Sequence, residues 1–400
     1  MLTLQPLQHK PRRSTLPVRG SQVVLFLVSL VLVATTANAQ TFNVLHTFTD
    51  GEDGAAPWNG LAIDRSGSLY GTSFNVVFKL KNSGAGWVLN PLQLLTARGG
   101  LVTIGPNGSL YAPTPQGGSG CSGAGCGTIV NLQPQPTVCE SILCDWNVKT
   151  LYQFTAGADG YYPNSPLLFD TAGRIYGTSD SCVFALTPSG NGYSFSVIQH
   201  LTSLSGVILD SAGNLYGTSL GGSNGNGYVY KLTHGGSGWN EEVLYSFRGE
   251  EDGRAPKGGL IFDPAGDLYG TTNAGGSQIG GTVFELSPSA NGWTYKLLYS
   301  FTFGNLNGLG GPTAALALDA AGNLYGTTSS EGAYGYGSVF KLTPGTNGWI
   351  YTSLHDFTGG TDGWMLFSTV TPVFDANGNL YGTTSGGGTT DYGTVWEITP

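Results

Sequence analysis

Asp319-Ala320-Ala321-Gly322-Asn323-Leu324-Tyr325-Gly326-Thr327-Thr328 carries a phrase that the chain repeats. Its core, Leu-Tyr-Gly-Thr, stands at Leu69–Thr72, Leu215–Thr218, Leu268–Thr271, Leu324–Thr327 and Leu380–Thr383. Ile175–Thr178 is a close variant and Leu110-Tyr111-Ala112-Pro113 a looser one. The tyrosines of these seven copies lie 41, 65, 40, 53, 56 and 56 residues apart. A recurrent unit of that length points to a solenoid or a propeller.

One unit, residues 260–301, reads as four short strands. Leu260-Ile261-Phe262 is apolar and ends at Asp263; Pro264-Ala265-Gly266 is a turn in which the aspartate can bond the backbone ahead of it. Leu268–Thr272 is a second strand and Thr282–Leu286, after a glycine-rich loop, a third. Asn291-Gly292 signals a hairpin into a fourth strand from Trp293 to Phe301. The turn aspartate recurs at Asp64, Asp170, Asp210, Asp319 and Asp375, with Gly105 in its place in the second unit. Trp146, Trp239, Trp293 and Trp349 recur at one place in the fourth strand and read as wedges between units. The ends supply the register. Phe42 to Phe48 matches a fourth strand, whereas Thr394 to Ile398 matches a third, so the first segment completes the last unit. An all-β, seven-bladed β-propeller of four-stranded antiparallel blades follows, its ring closed by the N-terminal strand joining the last blade.

Residues 1–39 read as a signal peptide, with Lys10, Arg12, Arg13 and Arg19 ahead of an apolar run, Val23 to Ala34, and Ala37-Asn38-Ala39 as a cleavage site. Residues 40–400 then form the single propeller domain, with no membrane span in the mature chain. Taking the leader's four basic residues from the total of 16 leaves 12 against 25 acidic ones. That balance disfavours nucleic acid and anionic membranes as partners and suits a soluble exported protein, secreted, periplasmic or on the cell surface; a monomer is expected. Export makes disulfides reasonable. Of the five cysteines, Cys121, Cys126, Cys139 and Cys144 favour two local pairs, Cys121–Cys126 and Cys139–Cys144. A zinc site is the sharper alternative, but four residues intervene within each pair, a loose spacing for it. Cys182 reads as a small buried strand residue.

Residues 319–328, followed by Gly337-Ser338-Val339-Phe340-Lys341-Leu342-Thr343-Pro344, resemble the GloVer tandem-repeat family of exported bacterial proteins. The likeness runs over essentially all of residues 40–400, is strongest in units five to seven and weakest in unit two. It implies a propeller-like array and no known catalytic activity or substrate.

Strand order puts two kinds of loop on one face: those between second and third strands, and those running from a fourth strand to the next blade. The latter carry Asp53-Gly54, Asp159-Gly160, Asp252-Gly253 and Asp362-Gly363, with Asn307-Gly308 in the sixth unit. Trp58, Tyr161, Tyr162 and Trp364 join them, with Tyr334, Tyr336 and Tyr392 nearby. Asp53, Trp58, Asp159, Tyr161, Asp252, Asp362 and Trp364 are therefore the candidate ligand-binding residues. Turn capping by these aspartates competes with two sharper readings, Ca²⁺ ligation and an acidic rim; no single loop has an EF-hand series of acids, so no metal residues are assigned. Gly221–Gly225 fits a nucleophile-elbow pattern and Gly118–Gly123 a dinucleotide pattern, but neither precedes a helix. His46, His200, His234 and His355 are scattered and read as structural. The expectation is a non-enzymatic binding protein for a glycan or an exported protein. The alternatives are a carboxylate-based lactonase, lyase or glycosidase, with no catalytic residues assigned, and a structural envelope protein.

Overall fold

Each Leu-Tyr-Gly-Thr phrase is the second strand of a four-stranded antiparallel sheet in the computed structural model of the chain. The structure describes residues 40–121, 125–135, 146–202, 205–236, 238–302, 310–365 and 370–400. The leader, the expected Cys139–Cys144 pair and Asn307-Gly308 lie outside the described residues. Seven such sheets form the blades of a propeller. In blade one, Leu61–Ile63, Leu69–Ser73, Val76–Asn82 and Trp87–Leu94 follow one another from the channel outward. In blade seven the first three strands are Val373–Phe374, Leu380–Thr384 and Thr394–Thr399, and Thr41–Thr47 supplies the fourth. Thr41 pairs with Thr399 and Thr47 with Thr394, so the ring closes as the terminal registers imply.

Packing follows the repeat. The phrase leucine faces a third-strand leucine, as in Leu69 with Leu80 and Leu324 with Leu342. The tyrosine hydroxyl donates to the turn aspartate of its own blade, 3.0 Å from Tyr70 to Asp64 and 3.0 Å from Tyr325 to Asp319. That aspartate's other oxygen accepts two backbone amides, Ser66 and Ser68 in blade one, which fixes the turn between the first two strands. The threonine hydroxyl reaches out of its blade. Thr72, Thr178, Thr218, Thr271 and Thr327 donate to carbonyls of Gly100, Ser205, Pro256, Ala314 and Val370, each in the segment leading to the next blade.

The core is a ring of interblade clusters. One joins Phe48 of the closing strand and Tyr381 and Val395 of blade seven to Leu61, Leu69, Phe78 and Leu80 of blade one. The expected tryptophan wedges are there: Trp293 of blade five meets Tyr216 of blade four edge-on at 6.2 Å, and Trp349 meets Tyr269 likewise at 6.1 Å. Cys121 and Cys126 are disulfide-bonded, and Cys182 is a buried free thiol. Among the described residues every regular element is a strand, and no helix is long and apolar enough to cross a membrane.

Candidate functional site on the loop face

The two loop types meet on one face, and backbone bonds tie them together. Ala56 donates to Tyr392, Gly99 to Phe74, Tyr162 to Cys126 and Met365 to Tyr336, in each case from a lead-in segment to the loop of the preceding blade. Ala56, Tyr162 and Ala255 adopt φ of 48°, 50° and 55° at equivalent points, each just before a proline. The Cys121–Cys126 bridge braces the same face at blade two.

The four Asp-Gly carboxylates are turned into their own loops. Asp159 accepts from the Tyr152 hydroxyl (3.0 Å), the Thr155 amide (2.8 Å) and hydroxyl (2.7 Å), and the Gly157 amide (3.0 Å). Asp362 accepts from Thr358 and pairs with His355 Nε2 at 3.1 Å; Asp53 pairs with Thr49 and with His46 Nε2 at 3.0 Å. Asp252 accepts from the Tyr245 hydroxyl and the Arg248 amide. The partner thus always stands seven residues ahead, a tyrosine or a histidine, and a second four residues ahead. Burial raises the carboxyl pKa of Asp53, Asp159 and Asp362, but the threonine, tyrosine and histidine hydrogen bonds outweigh it and hold all three below the ordinary range. Among the described residues none of the four bonds another, and no group of three or more His, Cys, Asp or Glu is arranged to hold a metal ion. The innermost strands, Leu-Ala-Ile, Thr-Ile, Leu-Phe, Ile-Leu, Ile-Phe, Ala-Leu and Val-Phe, bring no charged group to the channel wall.

The aromatic candidates fall into two groups. Trp364 is half-buried against Gly386 and donates its Nε1–H to Asp391 at 3.3 Å. Tyr161 is exposed and meets Tyr162 edge-on at 5.1 Å. Trp58 is half-buried under the Arg98 guanidinium, 4.1 Å from its ring centre. Tyr334, Tyr336, Tyr392 and Phe74 are exposed on the corresponding loops of three consecutive blades, six, seven and one. Phe74 was not evident from the repeat. It sits in a two-residue turn with φ 49°, where a bulky residue is strained, and is 57% exposed. The signal for it is that Phe74-Asn75 replaces the glycine-rich loop that most of the other units carry. Glu331, beside these rings in sequence, is a second omission; burial pushes its carboxyl up to about 6 while Thr302 donates to it.

The family description Gloeobacter/Verrucomicrobia repeat matches residues 179–396, more than half of the chain. The chain belongs to that family. The Gloeobacter/Verrucomicrobia repeat is the one its tyrosine phrase resembles, and the sheets before residue 179 continue the same strand grammar. No curated protein matches the chain. Among solved structures, the extracellular domain of a hybrid two-component system protein from B. thetaiotaomicron is similar, with TM-score 0.57 and 12% identity over 89% of this chain. The chain spans 39% of that structure's length. An auxiliary nutrient binding protein from Bacteroides ovatus (TM-score 0.47, 11% identity, 90% of this chain and 76% of that one) is also similar. So is a gluconolactonase from Xanthomonas campestris (TM-score 0.46, 12% identity, 86% and 96%). At such identities the likeness is one of fold.

Proposed function

We propose that this repeat protein is an exported propeller that binds a glycan on its loop face. The observation that supports this reading is the arc of exposed rings, Tyr334, Tyr336, Tyr392 and Phe74, on three neighbouring blades. A tyrosine ring offers a flat apolar surface and a hydroxyl, which suits the C–H face and hydroxyl rim of a sugar. Binding rather than acid–base chemistry is favoured because Asp53, Asp159 and Asp362 are bonded within their own turns on both carboxylate oxygens and the innermost strands are uncharged.

The test is a glycan array probed with residues 40–400, with and without Ca²⁺. Binding to a defined set of saccharides is expected in both conditions. Replacing Tyr336 and Tyr392 together by alanine is expected to weaken it about thirtyfold, the value of two stacking contacts near 1 kcal/mol each. Silence across the array, or full binding by the double variant, overturns the proposal.

A further inference from the structure

Hydrogen-bond donors without acceptors gather where blade one meets blade two. Trp58 and Arg98 lie in the segments leading to the innermost strands of these blades, at the mouth of the channel on the loop face. The Asn59 amide bonds the Gly99 carbonyl at 2.9 Å, tying the two segments together. Arg98 stacks on the Trp58 ring, and among the described residues its guanidinium has no hydrogen bond and no ion pair. The Trp58 Nε1–H is buried and also meets no acceptor. Arg248, by contrast, pairs with Asp252. A half-buried cation without a counter-charge is costly, and more so when a buried donor beside it is also unmet. In an acidic protein, carboxylates to neutralise it are abundant, yet none is placed there.

We propose that Arg98, stacked on Trp58, is a carboxylate-binding subsite that recognises a terminal uronate on the glycan. This rests on the glycan reading above and deepens it. The planar guanidinium fork matches a carboxylate in two parallel hydrogen bonds, and a phosphate monoester, close to a dianion at neutral pH, would call for more than one cation. The surplus of acids disfavours a long polyanion, so a single sugar acid at the end of a chain is the class that fits. The strained, exposed Phe74 accepts the Gly99 amide at 2.9 Å through its carbonyl, which holds the backbone of its turn against the residue next to Arg98.

Calorimetric titration of residues 40–400 with a glucuronate-terminated oligosaccharide and its glucose-terminated counterpart tests this. A preference of about tenfold or more for the acid is expected, the yield of one charge-assisted pair, and it should shrink with added salt. Arg98→Gln should erase the preference while keeping the affinity for the neutral sugar and the melting temperature. Equal binding of the two sugars by the parent, or a preference that survives in Arg98→Gln, overturns the subsite and leaves the glycan reading standing. If neither sugar binds and the array is silent, both fall.

Discussion

Gly326 shows how one side chain dictates the residue across from it. Its backbone is ordinary; what excludes a side chain is Phe340 on the paired strand, whose ring a Cβ would approach to 2.5 Å. Gly382 is held the same way by Trp396, at 2.2 Å. Blade two breaks the rule at both positions together, with Ala112 facing Val130. The departure from Leu-Tyr-Gly-Thr is thus a compensated exchange: a methyl is gained on one strand where a ring is lost on its partner. Gly326→Ala is expected to destabilise the protein by about 2–3 kcal/mol through overpacking. Phe340→Val alone should cost a comparable amount through the cavity it leaves. The double variant should be more stable than the sum of the two losses implies, by about 1 kcal/mol or more, because neighbours in contact are not additive. Urea unfolding of the four proteins reads this cycle; strict additivity would show that the two positions do not determine each other.

At the scale of the element, the Asp-Gly turns act as buckles. Asp159 gathers four donors from Tyr152, Thr155 and Gly157 and is 7% exposed, so it locks the end of one blade to the beginning of the next. Its folded pKa lies below the unfolded value, despite the opposing effect of burial, because these hydrogen bonds prefer the charged form. Stability from this group is therefore complete above the unfolded pKa and disappears as pH falls through the folded one. Asp159→Ala is expected to cost about 2–3 kcal/mol at neutral pH, and its gap to the parent should narrow as the medium is acidified below about pH 4. Denaturant titrations across that range would test it, and a gap independent of pH would remove the carboxylate from the account. The strands were legible beforehand because their buried positions repeat, and the turn aspartates because Asp-x-x-Gly chemistry is local. The buckle aspartates were visible as a recurring pair, but their partners stand seven residues ahead, and only the shared slot of His46, Tyr152, Tyr245 and His355 hinted at them. Phe74 and Arg98 were illegible for a different reason. Each sits where its loop leaves the repeat, so no periodicity forecasts which way its side chain faces.

On the scale of the whole molecule, two junctions of the ring lack the link that the others share, and one of them is the closing seam. The threonine hydroxyl that reaches the next blade in five units is absent at Pro113 and, at the seventh unit, Thr383 Oγ1 is buried without a partner. Blade seven is therefore held to blade one by other means. The first strand pairs with the last from Thr41–Thr399 to Thr47–Thr394, and Phe48, fully buried, packs on Phe78 of blade one at 5.3 Å. Removing residues 40–48 would strip the outer strand from blade seven, expose the edge of Thr394–Thr399 and empty the site of Phe48. Loss of the phenylalanine alone is worth about 3–5 kcal/mol. With the lost strand pairing, the melting temperature is expected to fall by about 10 °C or more. The bare edge should also recruit another chain, so light scattering should show concentration-dependent association. A synthetic peptide of residues 40–48 should reverse both effects, since it offers the same edge and ring in trans. A shortened chain that melts like its parent and stays monomeric would mean that the wheel is held shut elsewhere.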